Sequence, residues 1–213
     1  MATSKKTTIL VTGGAGYIGG CAALCLKEAG YPVGVIDNLV TGHIETVQAL
    51  GVPFVQGDIG DSELVRDTIK KYSPQAVMHF AAHAYVGESV TNPAKYYLNN
   101  VGQSISFLST ITAAGIKQVV FSSTCATYGP VDRPISEDVP QSPINSYGRS
   151  KLMIEQLLKD FALAYGTRYI AFRYFNVAGT HPSLAIGEWH DPETHLIPRT
   201  IFATMGSPEL ELF

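Results

Sequence analysis

Three residues in the second half of the chain have the types and spacing that proton transfer to an alcohol or ketone requires. Tyr147 and Lys151 are four residues apart, so both side chains lie on one face of a helix. An ammonium group beside a phenol favours the phenolate, so we expect Lys151 to lower the pKa of Tyr147 from about 10. A phenolate near neutral pH is a usable base. The hydroxyl of Thr124, which follows a predicted strand, is expected to hydrogen-bond the same reacting oxygen.

The tyrosine and lysine pair is a weak signal alone, because such a pair often lies on the exposed face of a helix. A second signal lies near the start, where residues 12–19 read Thr-Gly-Gly-Ala-Gly-Tyr-Ile-Gly after an apolar run. Glycines at a strand-to-helix turn let the backbone approach a pyrophosphate, and the free N–H groups of the helix face the anion. A glycine-rich turn that binds no ligand is the alternative interpretation of this motif taken alone.

An acidic residue adds independent support for a dinucleotide. Asp37 ends the second predicted strand, at about the distance from the glycines where a carboxylate accepts hydrogen bonds from a ribose. The next residues, Asn38 and Leu39, supply no cation for a 2′-phosphate. The sequence therefore predicts NAD as the cofactor in preference to NADP. His79, at the end of the fourth predicted strand, is interpreted as a buried, hydrogen-bonded residue of the core.

The elements that must position these residues follow a regular pattern. Short apolar runs alternate with longer helical stretches, which is typical of parallel β-α-β units. Strands, expected to be buried on both faces, are predicted at 7–12, 32–36, 53–56, 76–80, 118–122 and 168–172. Helices are predicted at 17–29, at 63–72 with Asp61 and Ser62 as cap candidates, and at 93–114, 151–165 and 196–205. The fold class is therefore α/β, with a doubly wound parallel sheet.

The pattern changes after Phe175. Residues 179–195 contain Gly, Pro and His and are predicted to form a loop, and residues 210–213 resemble the beginning of a strand. We therefore expect a dinucleotide-binding domain over residues 1–175 and a partial substrate-binding region over residues 176–213. The second region would be only the start of a small C-terminal domain.

The composition excludes several classes of function. A formal net charge of −3 over 213 residues offers no basic surface for nucleic acid or an anionic membrane. No apolar run is long enough to span a bilayer, and the polar start lacks a secretory signal, so we expect a cytoplasmic protein. Cys21, Cys25 and Cys125 are expected to be packed inside without a disulfide. The six histidines show no paired ligand spacing, so no metal site is predicted.

Together these motifs resemble the extended short-chain dehydrogenase/reductase family, and within it the UDP-glucose 4-epimerase group. The resemblance spans nearly the whole chain and implies a Rossmann NAD-binding fold. It rests on residues 12–19, Asp37-Asn38-Leu39, Gly57-Asp58-Ile59, His79-Phe80-Ala81-Ala82, Val86-Gly87-Glu88-Ser89, Tyr96-Tyr97-Leu98-Asn99-Asn100, Ser122-Ser123-Thr124, Tyr147 with Lys151, and Arg173-Tyr174-Phe175-Asn176.

The resemblance also implies roles for individual residues. Tyr147, Lys151 and Thr124 would be catalytic, and Thr124, Tyr147, Asn176 and Leu196 would contact the sugar nucleotide. The chain departs from the common family pattern at Ala84, where a lysine is frequent, and at His195, where an asparagine is frequent. The NAD site would be lined by Gly13, Gly16, Tyr17, Ile18, Gly19, Asp37, Asn38, Asp58, Ile59, Phe80, Ala81, Ala82, Asn99, Ser122, Tyr147, Lys151 and Phe175.

The implied activity is NAD-dependent 4-epimerisation of a UDP-sugar such as UDP-glucose or UDP-galactose through a transient 4-keto intermediate. Related dehydratases and decarboxylases place acidic residues after the strand hydroxyl, because elimination needs an extra acid and base. Here Thr124 is followed by Cys125, Ala126 and Thr127, which favours plain epimerisation.

Other interpretations stay open. The chain is expected to be C-terminally incomplete relative to the family pattern, and a truncated or non-catalytic NAD-binding module is therefore the main alternative. A UDP-pentose 4-epimerase is another, and a purely structural or protein-binding domain is the least favoured. The helices at 93–114 and 151–165 resemble those that form the family's homodimer. The alternative is that their apolar residues only cover the sheet.

Overall fold

Six parallel strands form one sheet in the computed structural model, which describes residues 7–181, 186–191 and 193–206. The strand order is β3-β2-β1-β4-β5-β6, so the chain changes direction across the sheet between β1 and β4. Ligands bind at such a switch point in doubly wound folds. The strands are β1 Ile9–Thr12, β2 Val33–Asp37, β3 Phe54–Gln56, β4 Ala76–His79, β5 Gln118–Thr124 and β6 Arg168–Tyr174.

Helices connect the strands, and each predicted helix is present with changes at its ends. The predicted helix 151–165 begins earlier, at Ser146, so that it contains both Tyr147 and Lys151. The predicted strand start at residues 210–213 lies outside the described residues. The helices are α1 Tyr17–Glu28, α2 Ile44–Leu50, α3 Ser62–Tyr72, α4 Val86–Thr91, α5 Pro93–Tyr96, α6 Ser104–Ala113, α7 Ser146–Tyr165 and α8 Leu196–Thr204.

The region predicted as one helix, 93–114, changes its hydrogen-bonding pattern along its length. Between α5 and α6 the chain forms a π-helical stretch, Tyr97–Gln103. A π-helical turn holds more residues than an α-helical turn and is frequent near functional sites. Asn99 and Asn100 lie within this stretch. The interruption therefore sets the direction of two polar side chains that a regular helix would place differently.

Capping residues mark the beginning of α3 and the end of α7, and Asp61 is a cap that the sequence predicts. Asp61 caps α3, and its carboxylate accepts hydrogen bonds from the backbone N–H groups of Glu63 (3.0 Å) and Leu64 (3.1 Å). Gly166 follows α7 with a φ of 71°, the left-handed conformation that glycine adopts without strain. These caps fix where α3 begins and where α7 ends.

Two apolar clusters pack against the sheet. One contains Phe107, Phe121 and Leu158, and the other contains Val35 and Leu50. The expectation that strands are buried on both faces holds for β1 and β2, in which every residue is buried. It is wrong for β6, where Ile170 is 57% exposed and Phe172 is 46% exposed. The reason is position, because β6 is the edge strand of the described sheet.

The cysteine prediction is also wrong in part. Cys25 is exposed, and Cys21 and Cys125 are half-buried. All three are free thiols. Within the part of the chain that the structure describes, no helix is long and apolar enough to cross a membrane.

Candidate active site

The glycine-rich turn between β1 and α1 is tightly packed. Gly13 has a φ of +71°, and a Cβ at this position would lie 2.6 Å from the backbone nitrogen of Ala81. A Cβ at Gly19 would lie 2.2 Å from the carbonyl oxygen of Gly13. Gly16 precedes α1, and within the described chain no side chain caps this helix. The first N–H groups of α1 therefore suit a bound anion such as a pyrophosphate.

Asp37 connects the end of β2 to this turn. Its carboxylate accepts hydrogen bonds from the backbone N–H groups of Ala15 (3.0 Å) and Leu39 (2.8 Å). Burial raises the pKa of Asp37, and these two hydrogen bonds oppose the rise. Each carboxylate oxygen has a second lone pair, so both can still accept a hydrogen bond from a ribose hydroxyl.

Asn38 and Asp58 bring together the ends of β2 and β3. The amide of Asn38 donates to the carboxylate of Asp58 at 3.1 Å, and the backbone N–H of Gly60 donates to the other oxygen of Asp58 at 2.8 Å. Ile59 is buried in the core beneath them. These three predicted cofactor residues therefore lie together at the carboxyl edge of the sheet, on the side of β1 away from β4.

Thr124 and Tyr147 meet beside the end of β5. Asn145 caps α7 by accepting a hydrogen bond from the backbone N–H of Gly148 at 2.7 Å. A Cβ at Gly148 would lie 2.6 Å from the carbonyl oxygen of Ala126, so this glycine lets the helix approach the 3₁₀ turn Cys125–Thr127. The side chain of Thr124 lies close enough to the phenol of Tyr147 to affect its pKa. The predicted hydroxyl and phenol therefore lie near each other.

Lys151 is a buried residue of the same helix, α7. Its ammonium group donates to the carbonyl oxygen of Ser122 at 2.8 Å and lies 5.8 Å from the ring centre of Tyr147. Burial lowers the pKa of Lys151 to about 7. Burial also raises the pKa of Tyr147, and the neighbouring Thr124 side chain opposes that rise. The expectation that Lys151 lowers the pKa of Tyr147 is therefore wrong for this structure, because desolvation of the phenol dominates.

His79 is a core residue, as the sequence analysis favoured. Its ring nitrogens are 2.7 Å from the hydroxyl of Thr12 and 3.0 Å from the hydroxyl of Ser104. Burial, assisted by the charge of Lys151, lowers the pKa of His79 to about 3. The imidazole is neutral at physiological pH and holds the end of β4 in place.

Asn100 is a positioning residue that the site prediction omitted. Its amide group accepts from the backbone N–H of His83 at 2.9 Å and donates to the hydroxyl of Ser150 at 3.1 Å. Ser150 in turn donates to the carbonyl oxygen of Tyr147 at 2.7 Å. Asn100 therefore ties the loop after β4 to the first turn of α7. An asparagine inside an otherwise helical stretch was the available signal for this role.

A second omitted group is an ion pair that joins α7 to β5 and β6. Glu155 pairs with the guanidinium of Arg173 at 2.8 Å and accepts hydrogen bonds from Ser123 and Gln141. Arg173 also donates to the hydroxyl of Tyr128 at 2.7 Å. Burial alone would raise the pKa of Glu155, but the hydrogen bonds from these partners lower it. The spacing of Glu155 was a usable signal, because Tyr147, Lys151 and Glu155 follow one another at intervals of four residues along α7.

The remaining predicted site residues are more dispersed. Gly13 packs against Ala81, and the hydroxyl of Tyr17 donates to the carbonyl oxygen of Gly179 in the loop after β6. Phe175 is 64% exposed, and Asn176 and Leu196 are also exposed. Their roles in binding stay predictions. Ile18, Phe80, Ala82 and Asn99 are half-buried.

Comparisons with known proteins agree with this geometry. A sequence model of the NAD dependent epimerase/dehydratase family matches residues 9–209. The chain is similar to UDP-glucose 4-epimerase of Rhizobium meliloti (strain 1021), with 49% identity over 206 residues, which is 96% of this chain and 62% of that protein. The chain therefore spans about three fifths of the length of its relative.

Solved structures give the same result. UDP-glucose 4-epimerase from Brucella ovis in complex with NAD superposes with a TM-score of 0.90 and 52% identity, covering 94% of this chain and 61% of that one. UDP-glucose-4-epimerase from Stenotrophomonas maltophila, solved with bound NAD and formylated UDP-arabinopyranose, superposes with a TM-score of 0.90 and 36% identity, covering 94% and 62%. The family resemblance and the fold class are confirmed, and the chain belongs to the NAD dependent epimerase/dehydratase family.

Proposed function

We propose that this protein takes part in NAD-dependent 4-epimerisation of a UDP-sugar, with UDP-glucose and UDP-galactose as the substrate pair. The observation that carries the proposal is the proximity of Thr124, Tyr147 and the buried Lys151, at the same sheet edge as the glycine turn. Relatives that carry the UDP-glucose 4-epimerase name support the substrate assignment. The proposed division is an NAD-binding domain over residues 1–175 and part of a substrate-binding region over residues 176–213.

The residues present fit NAD. Gly13 and Gly19 leave no room for side chains between the turn and its neighbours, so the backbone itself would face the pyrophosphate. Asp37 would accept hydrogen bonds from the adenosine ribose, with no adjacent cation to favour a 2′-phosphate. Lys151 and Tyr147 would lie toward the nicotinamide end. When bound, NAD supplies a hydride acceptor, and later a hydride donor, at C4 of the sugar.

Proton transfer falls to the residues beside β5. Tyr147 removes the proton of the sugar 4-hydroxyl as the C4–H bond breaks, and Thr124 hydrogen-bonds the same sugar oxygen. Burial disfavours a charge on Tyr147 alone and on Lys151 alone. A phenolate and an ammonium attract each other, so we propose that Lys151 offsets part of the cost that burial places on the phenolate when Tyr147 gives up its proton. After the keto sugar presents its other face, Tyr147 returns the proton.

The turn after Thr124 supports epimerisation in preference to elimination. Residues Cys125, Ala126 and Thr127 form a 3₁₀ turn with no carboxylate. Thr127 is buried, and its hydroxyl donates to the carbonyl oxygen of Thr124 at 2.9 Å. The positions directly after Thr124, at which a dehydratase would carry its extra acid and base, therefore hold no carboxylate.

Two assays on the chain test the proposal separately. NAD binding is measured by calorimetry, and turnover of UDP-galactose with added NAD is measured by coupled detection of UDP-glucose. We expect micromolar or tighter NAD binding, and turnover that Tyr147→Phe reduces by about a thousandfold or more, since general-base catalysis contributes up to about 10⁴-fold. Tyr165→Phe, at the exposed far end of the same helix, is the matched control and should leave both readouts unchanged.

The outcomes distinguish the candidate functions. NAD binding without turnover overturns epimerisation by this chain and leaves a dinucleotide-binding module. Turnover that survives in Tyr147→Phe overturns the assigned base. Turnover of a UDP-pentose but not of UDP-galactose replaces the substrate pair.

A homodimer is the proposed assembly. Leu98 in the π-helical stretch, Ile105 in α6, and Met153 and Leu163 in α7 are exposed apolar residues. Exposed apolar surface of this kind suits an interface between two copies, as the family resemblance implies. Sedimentation equilibrium is expected to give a dimer for the chain and a monomer for Leu98→Lys. A monomeric chain would contradict the proposal.

A further inference from the structure

Four side chains of metal-ligand type converge in the segment that leads into α8. Glu188, His190, Glu193 and His195 each offer one ligand atom, and these atoms lie within 4.8 Å of one another. Nδ1 of His195 is 3.0 Å from Glu188 and 2.9 Å from Glu193. The proposed epimerisation uses none of these four side chains for proton or hydride transfer. Their convergence therefore calls for a separate explanation.

One nitrogen of the cluster has an unsatisfied position. Nδ1 of His190 is buried and has no hydrogen-bond partner within the described part of the chain. The nearest carboxylate oxygens, on Glu188 and Glu193, are 3.7 Å and 3.6 Å away, too far for a hydrogen bond. A buried ring nitrogen without a partner is costly, whereas an ion bound between the imidazole and the two carboxylates would satisfy all three groups.

The donor set also suits a cation. The cluster combines two imidazoles with two carboxyl groups, and imidazole nitrogens and carboxylate oxygens are both common ligands of divalent transition metals. The ring of Tyr85 packs edge-on against His190 at the border of the cluster.

We propose that Glu188, His190, Glu193 and His195 bind one divalent transition-metal ion of the Zn²⁺ type. Two imidazoles and two carboxylates match the tetrahedral N and O coordination of zinc, in which neighbouring ligand atoms are about 3.3 Å apart. The shortest carboxylate distances from the two imidazoles, 2.9 Å to 3.7 Å, bracket that spacing. Mg²⁺ and Ca²⁺ prefer sites made entirely of oxygen, so the two histidines select against them.

The bound ion would fix the loop before α8. All four ligands come from residues 188–191 and 193–195, which form neither helix nor strand. Trp189 lies among them and stacks on His43 with ring centres 3.9 Å apart, and its carbonyl oxygen accepts a hydrogen bond from that imidazole at 3.0 Å. Fixing the cluster would therefore hold the loop against the segment after β2. The histidine spacing in the sequence predicted no metal site, because a loop and not a regular element brings these residues together.

The test uses the chain without a polyhistidine tag, after treatment with a chelator. Zn²⁺ is titrated by calorimetry, and Co²⁺ is added as a spectroscopic probe whose visible absorption reports four-coordinate geometry. We expect one ion per chain, the intense absorption of tetrahedral Co²⁺, and a higher Tm in the presence of Zn²⁺. His190→Gln and Glu188→Gln are each expected to weaken Zn²⁺ binding by about a hundredfold or more, because even outer-shell changes cost 10- to 100-fold.

His181→Gln is the matched control, because His181 lies outside the cluster and pairs with Glu28 at 3.1 Å. It should bind Zn²⁺ like the unchanged chain. Circular dichroism confirms that each variant is folded. Failure of the unchanged chain to bind Zn²⁺ with 1:1 stoichiometry overturns the proposal, as does unchanged binding by folded His190→Gln and Glu188→Gln. None of these readouts depends on epimerase activity.

Discussion

Replacing Lys151 by methionine should change how the stability of the protein depends on pH. The folded-state pKa of Lys151 is about 7, and its ordinary value is 10.5. A difference of about 3.5 pH units corresponds to on the order of 5 kcal/mol, which is the cost of keeping this ammonium group charged in its buried position. Below pH 7 the folded protein bears the whole cost, and above pH 10.5 it bears none.

The sign follows from proton binding. Between pH 7 and pH 10.5 the unfolded chain holds a proton on Lys151 that the folded protein has lost. The free energy of unfolding therefore rises with pH in this window, by up to about 1.4 kcal/mol per unit. Methionine has a similar shape and does not titrate. It leaves the carbonyl oxygen of Ser122 without its donor, but that cost of about 1–3 kcal/mol does not depend on pH.

Urea unfolding at pH 7, 8 and 9 measures the effect. We expect the stability of the unchanged protein relative to Lys151→Met to rise by about 2–3 kcal/mol from pH 7 to pH 9. Lys159→Met is the control, because Lys159 lies exposed on the same helix and its change should leave the pH slope intact. Parallel pH curves for the unchanged protein and Lys151→Met would refute the reasoning, since Lys151 would then keep an ordinary pKa when folded.

Four further variants test other parts of the structure by urea unfolding. Gly115 has a positive φ, and a Cβ added there would meet no neighbouring atom, so Gly115→Ala should cost only the backbone strain of about 1 kcal/mol. Gly13 also has a positive φ, but its added Cβ would clash with the backbone, so Gly13→Ala should cost about 2 kcal/mol more. Equal losses of stability would contradict the clash. Glu155→Gln leaves Arg173 without its ion-pair partner and should cost about 3 kcal/mol, and a loss below the measurement error would show that the pair is not needed. The pKa of His79 is lowered to about 3, so the free energy of unfolding of the unchanged protein should fall by up to about 1.4 kcal/mol per pH unit below pH 6.5. The His79→Gln variant should not show this loss. A constant difference in stability between the two proteins would contradict the buried, neutral imidazole.

Much of the fold was predictable because its signals are local. Runs of buried apolar residues mark the strands, and the glycines of the first turn and the side chain of Asp61 mark where helices begin. The meeting of Thr124 with Tyr147 was predictable for a related reason. The carboxyl ends of parallel strands share one edge, so a hydroxyl after β5 and a helix that starts beside it must come close.

Features that depend on tertiary packing were not predictable. The raised pKa of Tyr147 results from burial, which depends on how the folded chain packs around the phenol. The pairing of Glu155 with Arg173 joins a helix to the next strand, and neither residue alone indicates its partner. Exposure of Ile170 on β6 depends on what covers an edge strand, which the apolar pattern of that strand does not reveal.

The π-helical stretch Tyr97–Gln103 makes this part of the site sensitive to chain length. Each residue of an α-helix turns the chain by about 100°, so deleting one residue here would relax the wide turn and rotate everything before the deletion relative to α6. The apolar face of α6 would stay on the core, while Asn99 or Asn100 would turn away from its present partners. A single-codon deletion would therefore act on the loop after β4 and on Ser150 as a rotation, with little change in packed volume.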